Sequence, residues 1–251
     1  MLKTRVIPTL LWKGFGLVKG VGFDSWRGVG SVQPAIQVYT MREVDELILL
    51  NLSASQQNED YDFDELAEYA ALCRVPLTVG GGIKTLESVQ ALLRAGADKV
   101  SINSAAYDDL NLIRQASYQF GSQCIVGSMD VKKTTQGWSC YAQCGTVDKQ
   151  QDPVVWAKQL VEAGVGEILL TSIDRDGTLS GYDLDIIKLV AQSVSVPVIA
   201  SGGAGTYQHM VDAVFCSGAN AVAAASMFHF TEQTPKSAKL FMAEKGIPVR
   251  I

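Results

Sequence analysis

Two short runs in this sequence have the composition of oxyanion cradles. One is Gly80-Gly81-Gly82 and the other Ser201-Gly202-Gly203, and each lies between an apolar stretch and a segment with helical spacing. Glycine lets the backbone approach an oxyanion closely. The free N–H groups at a helix start, helped by the helix dipole, attract negative charge. In each case a small hydroxylic residue closes the next apolar stretch: Asn103-Ser104 after the first run, Ala225-Ser226 after the second. Gly177, within Asp174-Arg175-Asp176-Gly177-Thr178, is placed to join the second station. A single Gly-Gly pair would be explained as well by a tight turn. Two matched copies suit a small substrate carrying a phosphate at each end.

The match is part of a longer internal repeat, which has to be recognised before any motif is weighed. Residues 76–86 correspond to 197–207, and 95–104 to 217–226. Glu46-Leu-Ile-Leu-Leu is echoed by Glu167-Ile-Leu-Leu-Thr, and Val6–Lys13 aligns loosely with Ile125–Lys132. Residues 1–120 and 121–251 therefore read as two halves, each supplying one equivalent station.

The elements that must position these residues follow from periodicity. Candidate strands are Arg5–Leu11, Glu46–Leu52, Pro76–Val79, Lys99–Asn103, Cys124–Asp130, Glu167–Ser172, Pro197–Ala200 and Ala221–Ala225. They are short apolar or small-residue runs without polar alternation, as parallel strands buried on both faces require. Between most of them lie helical patterns. Thr85–Ala95 puts Leu86, Val89, Leu92 and Leu93 on one face, and Pro153–Ala163 begins with Asp152 as N-cap and Pro153 at the first helical position. Eight such units in 251 residues predict a single α/β domain over 1–251, a (β/α)8 barrel of two half-barrels. An open doubly wound sheet is the alternative. Lys13–Gly30 reads as a glycine-rich loop that could close over a substrate.

Composition narrows the function classes. The formal charge is −5, which argues against general nucleic-acid binding. Five scattered cysteines fit neither a disulfide framework nor, with only His209 and His229 available, a zinc site. The N-terminal apolar stretch is too short for a signal peptide, and no apolar run is long enough to span a membrane. A cytoplasmic protein with no cofactor is expected.

Taken together, the phrases Pro76-Leu-Thr-Val-Gly-Gly-Gly-Ile83, Asp98-Lys-Val-Ser-Ile-Asn-Ser-Ala-Ala106, Phe120-Gly-Ser-Gln-Cys-Ile-Val126, Gly166–Thr178 and Val198–Gly205 resemble the cyclase subunit of imidazole glycerol phosphate synthase. The resemblance covers essentially the whole chain. It implies a lyase of histidine biosynthesis that works with a glutaminase docked on the bottom of the barrel. Ammonia would pass through the barrel interior to a doubly phosphorylated acceptor at the top. It further implies an entrance gate at Arg5, Glu46, Lys99 and Glu167, and a partner-facing carboxylate at Asp98. Without the family, the alternative is that those four charges are a structural salt-bridge ring plugging the barrel.

The family's acid/base pair stands at the tops of strands one and five. Asp130 matches the second position, with Thr171, Asp176 and Ser201 around it, but the first position is Leu11. Leucine cannot transfer a proton, and a general acid or base commonly supplies on the order of 10²–10⁴ in rate. Nearby, Thr9 stands for the family's Cys and Asn51 for a carboxylate, while Lys19 is kept and is implied to close over substrate. The departures favour a paralogue that still takes ammonia from a glutaminase but serves another acceptor. Leu10–Lys19 is similar to relatives associated with amidination of surface-polysaccharide sugars beside a separate sugar amidotransferase. The alternatives are an authentic histidine-pathway cyclase that tolerates Leu11 and a non-catalytic partner that activates a glutaminase.

Overall fold

The computed structural model describes residues 2–14, 16–57 and 62–251; Met1, Phe15 and residues 58–61 lie outside it. Among the described residues there are twelve strands: β1 (Arg5–Lys13), β2 (Gly16–Val21), β3 (Asp24–Gly30), β4 (Leu47–Asn51), β5 (Leu77–Gly80), β6 (Lys99–Ile102), β7 (Ile125–Thr134), β8 (Gly137–Ala142), β9 (Val147–Asp148), β10 (Glu167–Ser172), β11 (Val198–Ser201) and β12 (Ala221–Ala224). Eight of them, β1, β4, β5, β6, β7, β10, β11 and β12, are joined in parallel, and the β7–β10 pairing closes the ring. The chain forms one closed (β/α)8 barrel, and the eight barrel strands fall on the eight expected runs, within a residue or two except at the end of β7, which continues to Thr134, four residues past the expected Asp130. The open-sheet alternative is excluded by the closure.

The remaining four strands are additions at the mouth. The segment expected to be a glycine-rich loop, 13–30, is an antiparallel hairpin, β2–β3, that continues from β1; one of its residues, Phe15, lies outside the described residues. Its glycines obscured the strand pattern, because alternation is unreadable where every third or fourth residue has no side chain. A second antiparallel extension, β8–β9, continues from β7 in the same way.

Alternation along each strand separates two cores. Ile7, Ile48, Val126, Leu169, Ile199, Ala221 and Ala223 point inward and form a small cluster inside the barrel. The residues between them face outward against the helices in the main core. The helices begin where side-chain caps say they should. Thr85 accepts from the Ser88 N–H, and Asp152 accepts from the Val154 and Val155 N–H groups ahead of Pro153. The repeat is physical as well as textual. Thr206 caps its helix through His209 as Thr85 does through Ser88. Asp98 accepts the Leu77 N–H at 2.8 Å, and Asn220 accepts the Val198 N–H at 2.9 Å. Among the described residues no helix is long and apolar enough to cross a membrane.

Candidate functional site

The C-terminal ends of the barrel strands surround a cavity of about 520 Å³. Leu11 ends the inward row of β1 and sits beside Leu50 of β4. Across the mouth, Asp130 of β7 sits beside Thr171 of β10 in the same parallel register. Both expected stations open onto this cavity: Gly81, Gly82, Asn103 and Ser104 on one side, Ser201, Gly202, Gly203, Ala225 and Ser226 on the other. Asp176 and Gly177, from the loop after β10, complete the second side.

The glycines have a packing reason of their own. Gly81 (φ +103°) lies against the Asn51 carbonyl, and a Cβ on Gly82 would come within 2.6 Å of Ala54 Cβ. In the other half, a Cβ on Gly202 (φ +89°) would come within 2.6 Å of the Ser172 carbonyl, and Gly203 lies against the Gly181 carbonyl. Each loop thus leans on its neighbour through bare backbone. Close packing accounts for these glycines whether or not a phosphate binds. Gly177 (φ +71°) lines the cavity beside the second station, and it too has a packing reason: a Cβ there would clash with the Gly20 carbonyl oxygen. It is the point where the β2–β3 hairpin touches down across the mouth. The Gly22 N–H donates to the Asp176 carbonyl at 3.0 Å beside it.

Two carboxylates share the second side. Desolvation pushes the Asp130 carboxyl up to about 7, the charge of Asp176 adds to the rise, and a hydrogen bond from Asn103 Nδ2 (2.7 Å to Oδ2) opposes it. Burial raises Asp176 to about 6, against the Phe23 N–H and the charge of Lys19, which favour its ionised form. Both titrate near neutrality, where a general acid or base is most effective. Lys19 is not in the cavity wall. Its ammonium lies 4.3 Å from the Phe230 ring centroid and near Asp176, and burial and Arg27 lower its pKa.

At the opposite end of the barrel the four expected charges meet. Arg5 Nη1 bonds Glu46 at 2.8 Å, and Arg5 Nη2 pairs with Glu167. Lys99 Nζ reaches Glu46 at 3.0 Å and Glu167 at 3.1 Å. The result is a closed ring of alternating sign with no net charge. Burial opposes the charge on Arg5, but the hydrogen bonds and charges of Glu167 and Glu46 outweigh it and hold its pKa above the ordinary arginine value. Between ring and cavity lie the apolar inner residues and the buried hydroxyl of Thr78, with Ser101 at the cavity floor. Asp98 stands on this same face, exposed, with one oxygen committed to the Leu77 N–H.

Several cavity residues were not expected from the sequence. Ser101 and Ser128 could have been found by counting inward positions in twos from Asn103 and Asp130. Phe23 and Trp26 carry no such signal, because they come from the hairpin. No group of His, Cys, Asp and Glu among the described residues is arranged to hold a metal ion. Residues 5–234, nearly the whole barrel, match the family described as histidine biosynthesis protein, whose members are barrel enzymes of cyclase or isomerase type, and the chain belongs to that family.

Proposed function

We propose that this chain is the synthase barrel of a glutamine-dependent amidotransferase. A glutaminase docks on the N-terminal face, beside Asp98. Ammonia enters through the Arg5–Glu46–Lys99–Glu167 ring and follows the barrel interior to the mouth. A phosphorylated acceptor waits there, anchored at the stations after β5/β6 and β11/β12, with Asp130 moving the proton and Thr171, Asp176 and Ser201 around it. The observation that carries this reading is the neutral ring of four charges, each near the start of a strand whose inward row continues to the mouth. Buried charge is costly, so a ring this complete needs a reason beyond plugging the barrel.

Leu11 where the family has an aspartate favours an acceptor other than the histidine-pathway intermediate, and amidination of a surface-polysaccharide sugar fits the resemblance best. A second reading, an authentic cyclase, has one observation in its favour: Asp176 supplies a second carboxylate that titrates near neutrality in the same cavity. One experiment separates the two. Purified protein is given saturating ammonia and the ribulosyl-phosphate intermediate of histidine synthesis, with a Leu11→Asp variant beside it. Turnover by the unmodified chain establishes the cyclase. Binding without turnover, with activity gained in Leu11→Asp, supports the paralogue. In a complex with the glutaminase, unchanged ammonia transfer by Lys99→Ala would remove the gate from the argument.

A further inference from the structure

The repeat places a hydroxyl one inward step below each side of the mouth. Val6–Lys13 aligns with Ile125–Lys132, so Thr9 answers to Ser128 as Leu11 answers to Asp130. Alternation puts both hydroxyl residues on the inward face, two positions below Leu11 and Asp130. Thr9, Ser128 and Ser101 of β6 all line the cavity, and each is less than one-tenth exposed. Thr9 Oγ1 and Ser101 Oγ are buried without a hydrogen-bond partner among the described residues. So is Asn103 Oδ1, on the amide whose Nδ2 donates to Asp130. Leaving a buried polar atom unpaired is costly, and such atoms are rare in folded chains. Three of them on residues that line one cavity share an explanation: a ligand entering the cavity pairs with them. The floor itself is uncharged, made by these hydroxyl residues together with Leu50 and Ala223. A charged group would be poorly solvated there, whereas a hydroxyl both donates and accepts. Of the two β1 residues that line the cavity, Leu11 has no side-chain hydrogen bond to offer and Thr9 has one.

We propose that Thr9, with Ser101 and Ser128, forms a subsite that holds a hydroxyl group of the acceptor below the level of Leu11 and Asp130. Thr9 thereby selects a polyol over a ligand of the same length without hydroxyls. This rests on reading the mouth as the acceptor site, and it deepens that reading by naming what the acceptor presents to the floor. The acceptor class is a phosphorylated polyol whose middle portion dips past Leu11. Because the hydroxyls are buried, a ligand that lacks the matching group leaves them unpaired, and sites of this kind discriminate strongly. Thr9 sets specificity only; proton transfer stays with Asp130.

Calorimetric titration of the full chain with two bisphosphates of equal length tests this. One is mannitol 1,6-bisphosphate, whose inner carbons all carry hydroxyls, and the other is hexane-1,6-diyl bisphosphate, which has none. The mannitol ester is expected to bind about tenfold more tightly, the size of effect that one otherwise unmade hydrogen bond provides. Thr9→Val keeps the shape and removes the hydroxyl, so it should erase that advantage and leave the affinity for the hexane ester as in wild type. Thr9→Ser keeps the hydroxyl and should retain most of the advantage. The Thr9 hydroxyl has no partner within the fold, so Thr9→Val is expected to fold normally, which circular dichroism checks. Equal affinity for the two esters in wild type, or an advantage that survives in Thr9→Val, would overturn the subsite and leave the acceptor site standing. If neither ester binds, the reading of the mouth as a site for a doubly phosphorylated acceptor falls, and the subsite falls with it. The Lys99→Ala transfer assay decides the channel separately.

Discussion

Replacing Lys99 by methionine leaves the ring with Arg5 against two carboxylates that are each less than one-tenth exposed. At 3 Å and an effective dielectric constant of about 20, each lost contact is worth roughly 5 kcal/mol of bare Coulomb attraction. Desolvation of the ammonium offsets much of this, and removing one member of a buried ion pair costs about 3–5 kcal/mol in practice. Lys99 is still about one-fifth exposed, so the lower figure is the better expectation. For a chain of this size about 3 kcal/mol lowers the melting temperature by roughly 6–12 °C. The double variant Lys99→Met/Glu46→Gln removes one charge of each sign and keeps the Arg5–Glu167 pair. It should recover at least about 1 kcal/mol relative to the sum of the single losses, a non-additivity that reports direct coupling. Equilibrium urea unfolding of wild type, both single variants and the double variant measures the cycle. A Lys99→Met loss under about 0.5 kcal/mol, or strict additivity, would refute the claim that the four charges act as one buried unit.

The pH dependence of stability carries a definite sign. Asp130, held near 7 in the folded chain and near 3.9 when unfolded, binds its proton more tightly in the native state, so stability falls as pH rises from about 4 to 7 and is level above that. Asp176 acts in the same direction up to about 6, and the two titrate as a coupled pair. Asp130→Asn should therefore flatten this decline, seen as a smaller change in urea midpoint between pH 5 and pH 8; a decline parallel to wild type would mean the carboxyl is solvated. Thr9 Oγ1 is buried with no hydrogen-bond partner among the described residues, so isosteric Thr9→Val should be neutral or raise the melting temperature by a few degrees. A clear drop would show that the hydroxyl is satisfied in solution. Gly177→Ala places a methyl against the Gly20 carbonyl at a positive φ, which should lift the hairpin. Limited proteolysis should then cut within 16–30 faster, with the barrel transition itself intact; unchanged cleavage would mean the hairpin is not docked there.

What the sequence discloses tracks the physical origin of each feature. The barrel strands are legible because burial on both faces forces unbroken apolar runs, and the repeat multiplies the signal. The ring is legible only through the resemblance, since one charge near the start of each of four strands looks like ordinary surface until the strands are wrapped into a circle. The hairpin is not legible as such. Gly16, Gly20, Gly22, Gly28 and Gly30 erase its alternation, and with it the placement of Phe23 and Trp26 over the mouth. The glycines of the two stations are legible as motifs but ambiguous in cause: the contacts of Gly81 with Asn51 and of Gly202 with Ser172 require them for packing alone.

Under the proposed function, the weight of Leu11 depends on where β1 goes next. From Leu11 onward the strand is paired with β2, through Leu11–Val18, Trp12–Leu17 and Lys13–Gly16, and is drawn up into the hairpin. No later residue of β1 lines the mouth, so if position 11 is where the family reaction places an acid, as the proposed function has it, β1 offers no substitute. Asn51, which ends β4 beside it, spends its carboxamide oxygen on the Ala54 N–H at 3.1 Å. The carboxylates that titrate near neutrality in the cavity, Asp130 and Asp176, both belong to the second half. Under the proposed function, proton transfer is therefore confined to one face of the acceptor, and the leucine face only holds it. A ring closure that needs acid and base on opposite sides is poorly served by that arrangement. Addition of ammonia to a single activated carbon, with one carboxylate carrying the proton, is served well.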